Sequence, residues 1–103
     1  MTTEELTKSS FENFKKNKLA LVDFFAEWCM PCLMLAPVIE ELSEKMKKIK
    51  FGKVNIDESQ DLAEEFSVMS VPTLIILKDG KEVDRIIGTL PADVLEEKIK
   101  KHL

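Results

Sequence analysis

The sequence predicts an α/β fold with a mixed central sheet. Short, nearly continuous apolar runs alternate with stretches of helical period, and Asp79-Gly80 is a hairpin turn joining the last two apolar runs. Strands separated by helices pair in parallel through right-handed crossovers, whereas a tight hairpin makes its strands antiparallel, so both kinds of pairing are expected in one sheet. At 103 residues the chain has room for one core and none for a second, so residues 1–103 read as a single domain.

At the amino-terminal end, Ser9 with Glu12 three residues later fits a capping box for a short helix bearing Phe11 and Phe14. The sequence leaves open whether a strand precedes it. Residues 19–26 (LALVDFFA) form an apolar run rich in aromatic and branched residues, the pattern of a strand covered on both faces, and Asp23 is its one charge. After the cysteines, Leu35, Val38, Ile39, Leu42, Met46 and Ile49 recur at three- and four-residue steps and mark the apolar face of a helix, in which Pro37 is expected to make a kink.

Residues 51–56 (FGKVNI) read as the next strand. A short helix carrying Leu62, Ala63 and Phe66 follows, and then a buried strand at residues 73–77 (TLIIL). Beyond the Asp79-Gly80 turn, residues 82–87 partly alternate between apolar and polar. The last helix places Leu95, Ile99 and Leu103 on one side, with Pro91 in its first turn. The methionines and phenylalanines of these helices and strands are read as core, and His102 as a solvated tail residue.

Apolar residues are 45% and charged residues 33%, enough of each for a buried face and a wet one, which argues against disorder. The net charge is −4 and Lys and Glu are interspersed, so no basic stretch invites a phosphate backbone and nucleic acid is not an expected partner. Residues 1–10 lack the apolar core of a signal peptide, and no segment approaches the roughly 18 apolar residues of a membrane span. The expected address is the cytoplasm, without membrane association.

In that reducing compartment two nearby cysteines point to redox or metal chemistry rather than to a structural bridge. Closing a four-residue loop removes only roughly 2 kcal/mol of unfolded-state entropy in the chain-entropy model. Tetrahedral zinc wants four ligands, and the lone histidine lies far along the chain, so a metal would require a second subunit supplying its own CxxC pair. The spacing of Cys29 and Cys32 puts the second sulfur within reach of the first on a helical turn. With a strand before them and a helix after, Cys29 falls at a helix amino terminus, where unpaired N–H groups and the helix dipole favour a thiolate; Cys29 is therefore the expected nucleophile.

The segment VDFFAEWCMPC (residues 22–32) closely resembles the active-site segment of thioredoxins, and KVNID (53–57), SVPT (70–73) and KDG (78–80) follow in that family's order. The resemblance spans nearly the whole chain. It implies the thioredoxin fold, a four- or five-stranded mixed sheet with helices on both faces, and a Cys29–Cys32 dithiol that reduces protein disulfides without a bound cofactor. The resemblance further implies the acidified leading CxxC thiol that is documented in thioredoxins.

By the same resemblance, Cys29 attacks a target disulfide, and Cys32 then attacks Cys29 to release the reduced target. Asp23, desolvated inside an apolar strand, is the expected base for the Cys32 proton, with Lys53 as its charge partner. Pro72 is expected in the cis form facing the cysteines, Val71 as the residue whose backbone pairs with substrate, Trp28 as an aromatic cover, and Gly88 in a loop flanking the docking surface. Thioredoxin reductase and disulfide-containing proteins are the implied partners of a monomer.

Two departures from the family pattern touch the chemistry. Met30 stands where thioredoxins usually have Gly, and Leu33 where Lys is common. The dipeptide Met30-Pro31 is expected to tune the balance of dithiol and disulfide. The competing readings are a glutaredoxin-like reductase coupled to glutathione, a non-catalytic binding module of the same fold, and a metal-bridged dimer.

Overall fold

The computed structural model describes residues 3–103. Nine elements follow one another: β1 (Thr3–Glu5), α1 (Lys8–Phe14), β2 (Leu19–Phe25), α2 (Met30–Lys45), β3 (Lys50–Asn55), α3 (Gln60–Glu65), β4 (Thr73–Lys78), β5 (Lys81–Ile87) and α4 (Ala92–Lys100). The five strands form one sheet in the order β1-β3-β2-β4-β5. β1 and β2 each run parallel to β3, while β4 is antiparallel to both β2 and β5, so the sheet is mixed as expected.

Alternation along β2 divides the core. Leu19 and Leu21 join Leu35, Ile39 and Leu42 of α2 and Leu95 and Ile99 of α4 on one face. Ala20, Val22 and Phe24 pack with Phe11 and Phe14 of α1 and Leu62 of α3 on the other. Asp23 shares the parity of Leu19 and Leu21, which aims a carboxylate at the α2 side of the sheet. Asp79 and Gly80 both have positive φ, 53° and 82°, and close the β4–β5 hairpin as a turn whose twist suits two antiparallel strands.

Several expectations are corrected. The first helix is capped by Thr7, not Ser9: Ser10 Oγ accepts the Thr7 N–H at 2.9 Å, and Glu12 pairs instead with Lys15. The earlier hydroxyl pair satisfies the free N–H groups first, so the helix starts at Lys8. Ile49 lies outside α2, because Met46 leaves helical geometry at ψ 76°. The partial alternation of the last strand has its cause in a bulge: Leu77 faces Glu82 and Ile76 faces Asp84, which leaves Val83 unpaired. Leu103 lies past the end of α4 and is exposed.

His102 is not a free tail residue, since its Nε2 lies 3.3 Å from Asp84 Oδ2. Met34 is 71% exposed rather than core, and Met30, one turn before it on α2, is 65% exposed. The reason for Met30 and Met34 is their place on the first turns of α2, where only Cys32 and Leu35 turn toward the sheet. Pro37 lies on the exposed side of α2, which continues through it to Lys45.

Candidate active site

The end of β2 delivers the chain, through Ala26, Glu27 and Trp28, to Cys29, which is the N-cap of α2 with extended φ −93° and ψ 108°. Pro31 occupies the first turn, where its missing N–H costs no hydrogen bond. Cys29 and Cys32 form a disulfide with their Cα atoms 5.2 Å apart. The Cys32 backbone N–H donates to Cys29 Sγ at 3.2 Å, so this sulfur takes the place that a Ser or Asp oxygen fills in other N-caps. Ala26 and both cysteines are buried together, with Phe25, Ile56 and Val71 packed against them.

A second loop approaches from β4. Val71–Pro72 is a cis peptide, Pro72 is buried at the head of β4, and the Val71 carbonyl oxygen is 3.8 Å from Cys29 Sγ. Thr73 Oγ1 donates to the Ser70 carbonyl at 2.7 Å and ties this loop to the strand. Gly88 follows β5 at φ 98°, a backbone region that L side chains rarely adopt, and its N–H donates to the Pro72 carbonyl at 2.9 Å. Thr89 and Leu90 then line an apolar groove of about 410 Å³ with Met30, Pro31 and Met34.

Trp28 stands 70% exposed beside the disulfide. Its indole Nε1–H donates to Asp57 Oδ2 at 2.9 Å, and Asn55 Oδ1 accepts the Asp57 N–H at 2.9 Å. Sequence reasoning missed this support, although the Asn-x-Asp spacing in KVNID carried the signal. Flanking the cysteines along the chain, Trp28, Met30, Leu33 and Met34 are all exposed apolar side chains.

Asp23 lies beneath this surface, 4% exposed, with Lys53 and Leu74 as its ladder neighbours. It lines a cavity of about 30 Å³ together with Thr3, Ala36, Ile39, Glu40 and Lys53, and its Oδ1 has no hydrogen-bond partner. Ala36 is one turn beyond Cys32 on α2, so the carboxyl sits under the helix that carries the cysteines. Burial pushes its pKa from the ordinary 3.8 up to about 7, against the opposing pull of the Lys53 charge. Lys53 is half-buried with Nζ 5.8 Å from the centre of the Phe25 ring, and it makes no ion pair among the described residues.

The site thus joins Cys29, Cys32, Trp28, Met30, Pro31, Val71, Pro72 and Gly88 at one surface and puts Asp23 and Lys53 below it. Among the described residues no helix is long and apolar enough to cross a membrane. A family model described as Thioredoxin matches residues 2–101. The thioredoxin of Chlamydia caviae is 47% identical over 97 residues, covering 94% of this chain and 95% of that protein. The thioredoxin of Bacillus subtilis is 43% identical over 104 residues, with both chains fully covered. Among solved structures, Plasmodium falciparum thioredoxin superposes with a TM-score of 0.91 at 36% identity, covering 98% of this chain and all of that one. Sequence, fold and the paired cysteines at the head of α2 agree: the chain belongs to the thioredoxin family and is a thiol:disulfide oxidoreductase.

Proposed function

We propose that the protein reduces disulfides in target proteins by a two-step exchange through Cys29 and Cys32. In the dithiol form the Cys29 thiolate attacks one sulfur of the target disulfide. A Cys29–target bond forms, the target S–S bond breaks, and the other target sulfur leaves as a thiolate that takes up a proton. Cys32, after giving its proton to Asp23, attacks Cys29 Sγ. The Cys29–target bond breaks, the second target sulfur leaves and is protonated, and two electrons have passed to the target as the Cys29–Cys32 disulfide forms.

The observation that carries this reading is the Cys32 N–H aimed at Cys29 Sγ at the start of a 16-residue helix. The same donor and the helix dipole favour negative charge on that sulfur. Asp23 suits the role of base because a carboxyl with a pKa of about 7 both accepts and returns a proton near neutrality. Lys53 keeps that value from rising further. Met30 and Pro31 tune the dithiol–disulfide balance, while Trp28, Val71, Pro72 and Gly88 hold the target segment.

The cysteine pair itself carries the electrons, so the reaction needs no bound cofactor. In our reading the protein is a cytoplasmic monomer, recharged by a thioredoxin reductase, with disulfide-bearing proteins as its substrates. No observation favours coupling to glutathione. Cys32→Ser is expected to accumulate covalent adducts with target proteins that dissolve in dithiothreitol, and Cys29→Ser to form none and to lose reductase activity. Disulfide reduction that survives Cys29→Ser would overturn the assignment.

A further inference from the structure

The disulfide occupies one pole of the sheet. At the other pole, where β2 begins and β4 ends, a cavity of about 400 Å³ is lined by Lys18, Leu19, Lys48, Lys78, His102 and Leu103. These residues come from separate stretches: the start of β2, the turn between α2 and β3, the last position of β4, and the segment after α4. Along the sequence the lysines are dispersed among acidic residues, yet the fold brings three lysines and a histidine to the walls of one cavity. No Asp or Glu lines it.

None of Lys18, Lys48 and Lys78 takes part in an ion pair among the described residues. The adjoining groove, about 440 Å³, offers the contrast. It shares Lys48 and Leu103, but its Lys45 and Lys100 both pair with Glu96 at 3.0 Å. Two of that groove's four lysines are paired with a carboxylate, whereas none of the three lysines of the first cavity is. Like charges held around one cavity repel, and an anion placed among them turns that repulsion into attraction.

We propose that this cavity is a binding site for a small, multiply charged phosphorylated anion of the size of a di- or triphosphate, held by Lys18, Lys48 and Lys78. Ammonium groups meet phosphate oxygens as compact charges with several N–H donors. His102, held beside Asp84 at 3.3 Å, adds an imidazole at the edge, and Leu19 and Leu103 supply an apolar wall. β2 spans roughly 20 Å at about 3.3 Å per residue, so an anion here leaves the disulfide free to react.

Isothermal titration of the oxidised full chain with inorganic pyrophosphate, at constant ionic strength, tests the site. Saturable binding at one anion per chain is expected. Lys48→Gln combined with Lys78→Gln should weaken it at least about tenfold. Lys45→Gln combined with Lys100→Gln, in the adjoining groove, should change it by less than about twofold. Disulfide reduction should be unaltered in both variants. The proposal is overturned if pyrophosphate acts no differently from sodium chloride, or if the first variant binds as tightly as the parent. It is equally overturned if a single-stranded oligonucleotide binds while pyrophosphate does not, since a broad basic face and no cavity would then be responsible.

Discussion

Asp23 on β2 and Lys53 on β3 are register neighbours in the parallel ladder, and their charges interact without an ion pair between them. Attraction at that separation does not make up for burial, which leaves the Asp23 carboxyl with a pKa of about 7 against 3.8 for an ordinary aspartate. The folded state therefore holds this proton after the unfolded chain has lost it. The Asp23 contribution to stability is greatest below about pH 4, falls as pH rises through the interval to about 7, and is level above it. The total loss is on the order of a few kcal/mol. Asp23→Asn should abolish this slope and be the more stable protein at neutral pH, as read by urea unfolding at several pH values. The same variant should slow release of the mixed disulfide at least about tenfold, because the base for Cys32 is gone.

The α2 amino terminus supplies dipoles to Cys29 but no neighbouring cation, since Leu33 is apolar and exposed. Leu33→Lys would place a positive charge one turn beyond the sulfur. The Cys29 pKa should fall, raising the thiolate fraction at neutral pH roughly two- to fivefold, the scale of a charge at a helix end. Ultraviolet absorbance of the thiolate, titrated in the reduced protein, measures this, and no change or a rise in pKa counts against it.

How far the sequence could be read depends on which interactions are local. Residues 19–26 and 73–77 were legible as strands because burial on both faces demands an uninterrupted apolar run. Cys29 and Cys32 were legible because their spacing alone carries their chemistry. Thr7 was missed as a cap since several hydroxyls nearby fit the same pattern and only the backbone selects one. The exposure of Met34 was also missed: methionine is apolar by composition, and its exposure depends on which side of a helix it occupies. Asp57 under Trp28 and the lysines around the distal cavity are products of topology, joining residues that lie 29 or more positions apart.

Met30 projects from the rim at the head of the apolar groove it shares with Met34 and Leu90. A flexible thioether adapts to varied apolar side chains of a target. Met30→Gly should raise KM roughly three- to tenfold for peptide disulfides flanked by Leu or Phe, the scale of losing part of one buried side chain. For disulfides flanked by Ser or Gly it should leave KM unchanged. Equal effects on both series would remove the groove from substrate recognition.

Gly88 tests backbone conformation in isolation, because a Cβ added there meets no atom within 4 Å while φ is 98°. Gly88→Ala should cost about 1–2 kcal/mol through strain alone, seen as a lower denaturation midpoint with an unchanged slope. The Gly88 N–H steadies the Pro72 carbonyl, so target KM should rise more than kcat falls.

The Trp28–Asp57 hydrogen bond is exposed, so its loss should alter stability by less than about 1 kcal/mol. Its effect should be on position. Trp28 is 70% exposed, and on the described residues the Asp57 carboxylate is its hydrogen-bond partner, itself set by the Asn55 carbonyl that accepts the Asp57 N–H. Asp57→Ala frees the indole to sample several rotamers beside the disulfide. Trp28, the only tryptophan, then reports on itself without interference: its fluorescence anisotropy should fall, and the intensity change between disulfide and dithiol forms should shrink. Reduction of protein disulfides should slow while that of a small aromatic disulfide is retained, since only a large target needs the ring held in place. If anisotropy stays at the parent value, the ring is fixed by packing and the Asp57 bond is incidental.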